Sequence, residues 1–329
     1  MNRQMKRRIR AAVSSTLTLF LIAASLAWAT QSESAQPAPK RQKLAAAQPS
    51  SADEIGALRL RRHLDPDKLY LRSSVGLVVD KRDGVVLYGK NVDEQRPIAS
   101  VTKLMTAMVT LDARLPMDER IRIKRADRDR LRGSRSRLAF GTILTRRDML
   151  YVALAASENR AAKALARTYP GGKKAFFKAM NAKATELGMT DTYFRDATGL
   201  HSENVSTARD LVKMLRAADH YAFIKKMTTS PRGYVTDRRS GWKVKFFNTN
   251  RLVRRSHWDV LLSKTGYIAD SGHCLVMEVN IDDRPVYVVL LNSWGKLSKF
   301  GDAGRIRQWL TRAQQRLERR LETVANAGG

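Results

Sequence analysis

Strand-like sequence lies near both ends of this 329-residue chain, with a long helical stretch between. Val75-Gly-Leu-Val-Val79 and Val85-Val-Leu-Tyr88 flank Lys81-Arg-Asp-Gly84. Asp-Gly between two apolar runs predicts a β-hairpin. Three more strands are predicted late: Val260-Leu-Leu262 continuing toward Tyr267, Cys274 to Val279, and Val286 to Leu291. The last is continuously apolar, as expected of a central strand covered on both faces. Between the two groups, residues 100–225 carry helical spacing. Leu104, Met105, Met108 and Leu111 fall on one face, as do Met149, Leu150, Ala153 and Leu154. The 161–169 and 175–187 segments are similar, with Gly188 as a stop signal. A last helix is expected from about Asp302 to Glu322. If the early hairpin pairs with the late strands, a single sheet draws on distant sequence. Short turns such as Asp282-Asp283 make that sheet antiparallel. The expected fold class is therefore α/β (α+β): an antiparallel sheet flanked by helices, with an all-helical subdomain (about 100–225) inserted between strands.

The ends of the chain have a different character. Residues 1–10 hold Arg3, Lys6, Arg7, Arg8 and Arg10 and no acid; an apolar run from Ala11 to Trp28 follows, closing on Ala27-Trp28-Ala29. That pattern predicts a secretory signal peptide over 1–29, with an uncleaved membrane anchor as the alternative. Residues 30–68, rich in Ala, Gln, Ser, Pro and Lys, are expected to form a flexible tether. Order is expected from about residue 69, in one domain over 69–310, with the helix end and tail at 311–329. The net charge of +30, from 61 Lys+Arg against 31 Asp+Glu, first points to a polyanion partner. An exported chain without an aromatic ladder is not expected to bind nucleic acid. Its expected location is the periplasm. The single cysteine, Cys274, excludes an intramolecular disulfide and is expected to be an inert core thiol. The Arg-rich stretch 125–137 is expected to be a solvated face. Four tryptophans (Trp242, Trp258, Trp294, Trp309) are expected in the core or at its rim. The last helix (Ile306, Leu310, Leu317, Leu321) is expected to pack on the sheet with its basic face in solvent, the alternative being peripheral association with wall or membrane.

Familiar catalytic patterns are missing. The five histidines (His63, His201, His220, His257, His273) include no pair four residues apart, and no His-Glu-x-x-His occurs. Gly-x-Ser-x-Gly and phosphate-binding glycine loops are also absent. Neither a metal nor a cofactor is implied. What remains is Ser100-Val-Thr-Lys103 at the start of an apolar helix. Residues three apart share a helical face, so the Lys103 ammonium can reach the Ser100 hydroxyl. A helix start also offers unpaired N–H groups to developing negative charge. Ser-x-x-Lys recurs at Ser240–Lys243 and Ser293–Lys296, so context must decide. Ser157-Glu-Asn159 falls at a break between two helical segments, where the alternative is a plain cap. Lys264-Thr-Gly266 falls in a late strand, where Gly266 would let a substrate approach the strand edge. A second Ser-Glu-Asn at Ser202–Asn204 has the look of a cap.

Those three motifs, in that order and setting, resemble the penicillin-binding proteins and serine β-lactamases. The flanks narrow the likeness. Pro97-Ile-Ala-Ser-Val-Thr-Lys-Leu-Met-Thr-Ala-Met108, Ser157-Glu-Asn-Arg-Ala-Ala162, Asn248-Thr-Asn250 and Leu262-Ser-Lys-Thr-Gly-Tyr-Ile268 resemble the low-molecular-mass D-alanyl-D-alanine carboxypeptidase/endopeptidase family, its periplasmic endopeptidases most of all. The resemblance spans about 70–310. It implies Ser100 as nucleophile, Lys103 as its general base, Ser157 as proton shuttle to the leaving amine, and Asn159 as orienter of substrate and Lys103. Lys264 and Thr265 would hold the substrate carboxylate, and the N–H groups of Ser100 and Tyr267 would form the oxyanion hole. Peptidoglycan peptides are the implied substrate and β-lactams the implied covalent inhibitors. The lack of a further domain after the last strand favours endopeptidase over carboxypeptidase. A serine β-lactamase would need a water-activating Glu-x-x-x-Asn that is not evident, and a non-catalytic wall-binding protein would not need Ser100.

Overall fold

A computed structural model describes residues 51–327. The leader at 1–29 and the first part of the expected tether, 30–50, lie outside the described residues. Helix α1 (Ser51–His63) precedes β1 (Ser73–Asp80), β2 (Val86–Lys90) and the short β3 (Arg96–Pro97), which leads into α2 (Lys103–Asp112). Then come β4 (Arg120–Arg122), β5 (Ile143–Thr145), α3 (Arg146–Ala155), α4 (Asn159–Arg167), α5 (Gly172–Glu186), β6 (Val205–Ser206), α6 (Ala208–Asp219) and α7 (Ala222–Thr229). The chain continues through β7 (Arg232–Thr236), β8 (Lys243–Phe247), β9 (Asp259–Ile268), β10 (Gly272–Ile281), β11 (Arg284–Ser293) and α8 (Ser298–Ala327).

The two groups of strands do share a sheet. Its order is β2-β1-β11-β10-β9, with every neighbouring pair antiparallel. At the junction of early and late sequence, Leu77 lies opposite Val289 and Val75 opposite Leu291. The Lys81–Gly84 hairpin closes through Asp80 N to Val85 O at 2.9 Å, and Gly84 takes φ +78°. The continuously apolar 286–291 run is the central strand β11. Val286, Val288 and Leu290 pack on one side with Ile306, Trp309 and Leu310 of α8. Tyr287, Val289 and Leu291 pack on the other with Leu104 and Met108 of α2 and Leu211 and Leu215 of α6. Each such side chain, once fully buried, contributes about 1.5–3 kcal/mol, so a strand apolar at every position has partners for both faces.

Several expectations need correction. The tether does not extend to residue 68, because α1 covers 51–63. Its Ala57 is buried, and its Leu60, with Leu64, belongs to the buried cluster that includes α8. Two polar contacts reinforce this: Trp309 Nε1 donates to Asp65 O at 2.8 Å, and an Arg316 guanidinium N–H donates to His63 O at 2.9 Å. The last helix runs over Ser298–Ala327, so a boundary at residue 310 would cut it in mid-course. The helical stretch also carries the small β4–β5 ladder, and the β7–β8 hairpin follows it without having been expected. Trp242 and Trp294 are 74% and 85% exposed, whereas Trp309 is in the core. Cys274 is fully buried, as expected. No helix among the described residues is long and apolar enough to cross a membrane.

Candidate active site

The helix expected to open at Ser100 begins instead with a 3-10 turn over Ala99–Thr102, and α2 starts at Lys103. Ala99 sits at φ +47°, a strained conformation for a residue with a Cβ. The turn is held in place from two directions. Ile98 N donates to Asn204 O at 2.9 Å, and the buried Leu104, Met105 and Met108 fix α2 in the core. Gly199 lies against the turn so closely that an added Cβ would stand 1.8 Å from Ala99 O. Lys103 Nζ donates to Ser100 Oγ at 2.7 Å, Asn159 Oδ1 at 2.8 Å and Thr198 O at 2.7 Å. Burial lowers the Lys103 pKa to about 7, against the opposing pull of Asp196, Glu158 and Asp129. A neutral Lys103 can keep donating to Asn159 and Thr198 while its lone pair accepts the Ser100 proton.

Ser157 occupies the corner between α3 and α4 at φ +59°. The capping role is taken by its neighbour, since the Glu158 carboxylate accepts from Arg160 N at 3.2 Å. Ser157 and Asn159 are thus left to line the cleft. Lys264, on β9 and 1% exposed, donates to Ser157 Oγ at 3.1 Å and to Thr265 O at 2.9 Å. Burial, then the positive charges of Lys103 and Lys299, push its pKa well below the usual lysine value. A bound carboxylate would reverse that shift by restoring a counter-charge. Tyr267 is 58% exposed, and its ring stacks on His273 at 4.2 Å. Gly266 serves a closer contact than the one expected. A Cβ there would stand 2.8 Å from Ile98 O and 3.1 Å from Ser100 N, so the glycine admits the chain's own Ser100 turn at the edge of the cleft.

All the expected side chains except Lys103 and Lys264 line one cleft of about 660 Å³, and those two lysines reach its lining residues by the hydrogen bonds above. The cleft also holds Lys299 and Arg251, which the sequence did not single out, and Thr249, which lies in the quoted 248–250 motif but was assigned no role. Lys299, from the first turn of α8, is buried, and burial lowers its pKa to about 8, with Lys296 acting in the same direction. Thr249 accepts from the Thr265 hydroxyl at 2.7 Å, and Arg251 stands beyond it. Thr249 is presented by the Asn248–Asn250 turn, whose asparagines make local bonds: Asn248 Nδ2 to Thr228 O and Asn250 Oδ1 from Leu252 N. Behind Lys103, Asp196 accepts from Thr198 N and Gly199 N, fixing the carbonyl that holds the ammonium. The Arg-rich stretch is more than a solvated face. Asp129 accepts from the backbone of Leu131, Arg132 and Ser134, and Ser134 Oγ accepts from Asn159 Nδ2 at 2.9 Å. Burial acts to raise the Asp129 pKa, but those bonds outweigh it and hold the carboxyl at about 2. Asp129 and Asp196 brace their own loops, and those loops reach Asn159 and Lys103 across 25 and 95 residues, a juxtaposition that spacing along the chain does not signal.

The competing motifs have other duties. Asn204 is buried and bonds Asp196 Oδ1 and His201 O, so Ser202–Asn204 is a loop brace. Ser240 Oγ donates to Asp237, and Ser293 is paired with Ser73 in the core.

The sequence profile of the S11 peptidase family, D-alanyl-D-alanine carboxypeptidase, matches residues 64–295. The chain belongs to this family. Among relatives of the S11 chain is a D-alanyl-D-alanine endopeptidase of Pseudomonas aeruginosa, 48% identical over 244 residues that cover 74% of this chain and 79% of that protein. The endopeptidase of the same name from Escherichia coli is 46% identical over 240 residues, covering 73% of this chain and 77% of that one. The Streptomyces K15 DD-transpeptidase superposes with a TM-score of 0.68 at 28% identity, over 74% of this chain and 98% of that one. Penicillin-binding protein D2 of Listeria monocytogenes, in its ampicillin-bound form, gives 0.64 at 28% identity, with the same coverage. The S11 chain therefore has the penicillin-binding-protein fold expected from its motifs.

Proposed function

We propose that this serine DD-peptidase cuts D-alanyl cross-links in peptidoglycan through an acyl-serine intermediate, and that it works outside the cytoplasm after export. The observation that carries the proposal is the buried Lys103 ammonium 2.7 Å from Ser100 Oγ, in a cleft with a cationic far side at Lys264 and Lys299. Neutral Lys103 takes the Ser100 proton as Oγ attacks the scissile D-alanyl carbonyl. The oxyanion develops against the N–H groups of Ser100 and Tyr267, which the absent Cβ of Gly266 allows to lie close together. Ser157, hydrogen-bonded to Lys264, relays to the leaving amine the proton that Lys103 took from Ser100, as the C–N bond breaks. Asn159 holds Lys103 through Oδ1 and leaves its cleft-facing edge to the substrate. Lys264 and Thr265 receive the carboxylate on the leaving side, with Lys299 adding charge. Water then attacks the ester, releasing the shortened peptide and restoring Ser100. A β-lactam would acylate Ser100 by the same steps.

Carboxypeptidase action is the second reading, favoured by the family's own description, because the same groups would serve a terminal D-alanine. Digestion of purified cross-linked muropeptides separates the two. Release of monomers with terminal D-alanine retained is expected; loss of the terminal residue alone would overturn the endopeptidase assignment. Rapid turnover of a chromogenic cephalosporin would instead indicate a β-lactamase.

A further inference from the structure

A second cavity, of about 850 Å³, adjoins the catalytic cleft and shares Arg251 and Phe300 with it. It lies between the 251–258 segment and the outer face of the first turns of α8. Its lining is unusually cationic. Arg251, Arg255, Arg307 and Arg312 line it with one carboxylate, Asp282, which is already hydrogen-bonded by Thr311. None of those four arginines forms an ion pair among the described residues. Arg307 lies over the Trp258 ring at 5.5 Å and donates to His257 O at 2.6 Å, so guanidinium and indole form a flat, fixed wall. The shared residues sit at one particular end of the cleft. Phe300 follows Lys299, and Arg251 lies two residues past Thr249, which bonds Thr265. The groove thus opens from the side assigned above to the substrate's leaving-side carboxylate.

From this we infer that the arginine-lined groove is a subsite for the acidic peptide stem that departs as the leaving group when a cross-link is cut. The inference rests on the endopeptidase reading and deepens it. A carboxypeptidase expels one amino acid, which the cleft itself can hold. An enzyme that cuts a cross-link expels a whole peptide, whose carboxylates need counter-charge beyond the scissile bond. Guanidinium groups with no carboxylate partner supply that charge in a form suited to paired contacts with carboxylates. The indole and phenyl walls cover the apolar parts of the stem.

The test uses the full chain with Arg255→Glu and Arg312→Glu together, two exposed positions in the groove but outside the catalytic cleft. Cleavage of a purified cross-linked muropeptide dimer is compared with release of D-alanine from a short acyl-D-alanyl-D-alanine peptide. Labelling by fluorescent penicillin, at the unsubstituted rate, verifies that the variant is folded. The expected result is a loss of about tenfold or more in kcat/KM for the dimer, with the short peptide within about twofold. Raising salt from about 0.05 to about 0.5 M should weaken dimer cleavage more in the unsubstituted protein than in the variant. Unchanged dimer cleavage, or parallel losses on both substrates, overturns the subsite. An unsubstituted protein that trims the short peptide but leaves the dimer intact overturns the endopeptidase reading itself, and the subsite with it.

Discussion

At the residue scale the site turns on Lys103, whose charge is removed by its surroundings rather than by a neighbouring base. Three acceptors could satisfy a full ammonium, yet burial holds its pKa near 7. Only the free base can take the Ser100 proton, so acylation by penicillin should slow as pH falls through about 7 and level off above it. A stopped-flow pH profile with no inflection in that region would contradict the assignment. Lys103→Arg keeps the positive charge but cannot give up its proton in this range, so it should lower acylation by about 10²–10⁴-fold. The sign for stability runs the same way. Because the folded pKa lies below the usual 10.5, the unfolded chain binds the proton more tightly, and Lys103's contribution falls as pH drops from about 10.5 to about 7. Positive φ at Ala99 and Ser157 places backbone strain beside the proposed nucleophile and at the proposed proton shuttle, where the surrounding core must hold it.

At the element scale two glycines dock β9 and the 196–199 loop against the turn that carries Ser100. Gly266→Ala would bring a Cβ within 2.8 Å of Ile98 O, so strand and turn must part. Penicillin acylation should fall by about 10²-fold or more from damage to the oxyanion hole, with the far-ultraviolet circular dichroism unchanged. Normal acylation by that variant would mean the close approach is dispensable. The packing of α1 on α8 is tested by Leu60→Ala, which should cost about 2–5 kcal/mol in urea unfolding, as removal of a fully buried leucine does. Much of this arrangement was legible in the sequence. The strand at 286–291 announced its double burial, and Ser100, Lys103, Ser157 and Lys264 announced themselves by motif order. Helix α1 did not, because its few apolar residues are diluted by arginines and gain a partner only when α8 folds beside them. The β7–β8 hairpin was hidden for a similar reason: its alternation places Lys243 and Lys245 outward and leaves few apolar positions to detect. Thr198 meets Lys103, Ser134 (fixed by Asp129) meets Asn159, and Lys299 enters from the last helix, so no local pattern marks their part in the cleft.

At the scale of the whole molecule, one sheet built from both ends of the domain brings together three motifs that are more than 50 residues apart in sequence. The turn before α2, the corner between α3 and α4 and the start of α4 supply Ser100, Ser157 and Asn159; the edge strand β9 supplies Lys264 and Thr265; α8, from the opposite face, adds Lys299 at the rim. The net charge of the full chain, +30, suits the acidic polymer proposed as substrate. Long-range attraction of that kind is screened by salt. Binding to isolated sacculi should therefore weaken steeply between about 0.05 and about 0.5 M salt, even for Ser100→Ala. Salt-independent retention would remove the role assigned to the charge. The central claim, that Ser100 is the acylated nucleophile, is tested most directly by mass spectrometry of the protein after brief exposure to a penicillin. One adduct of the antibiotic's mass on the peptide containing Ser100 is the expected result. An unmodified Ser100 peptide, or an adduct on another serine, would contradict it.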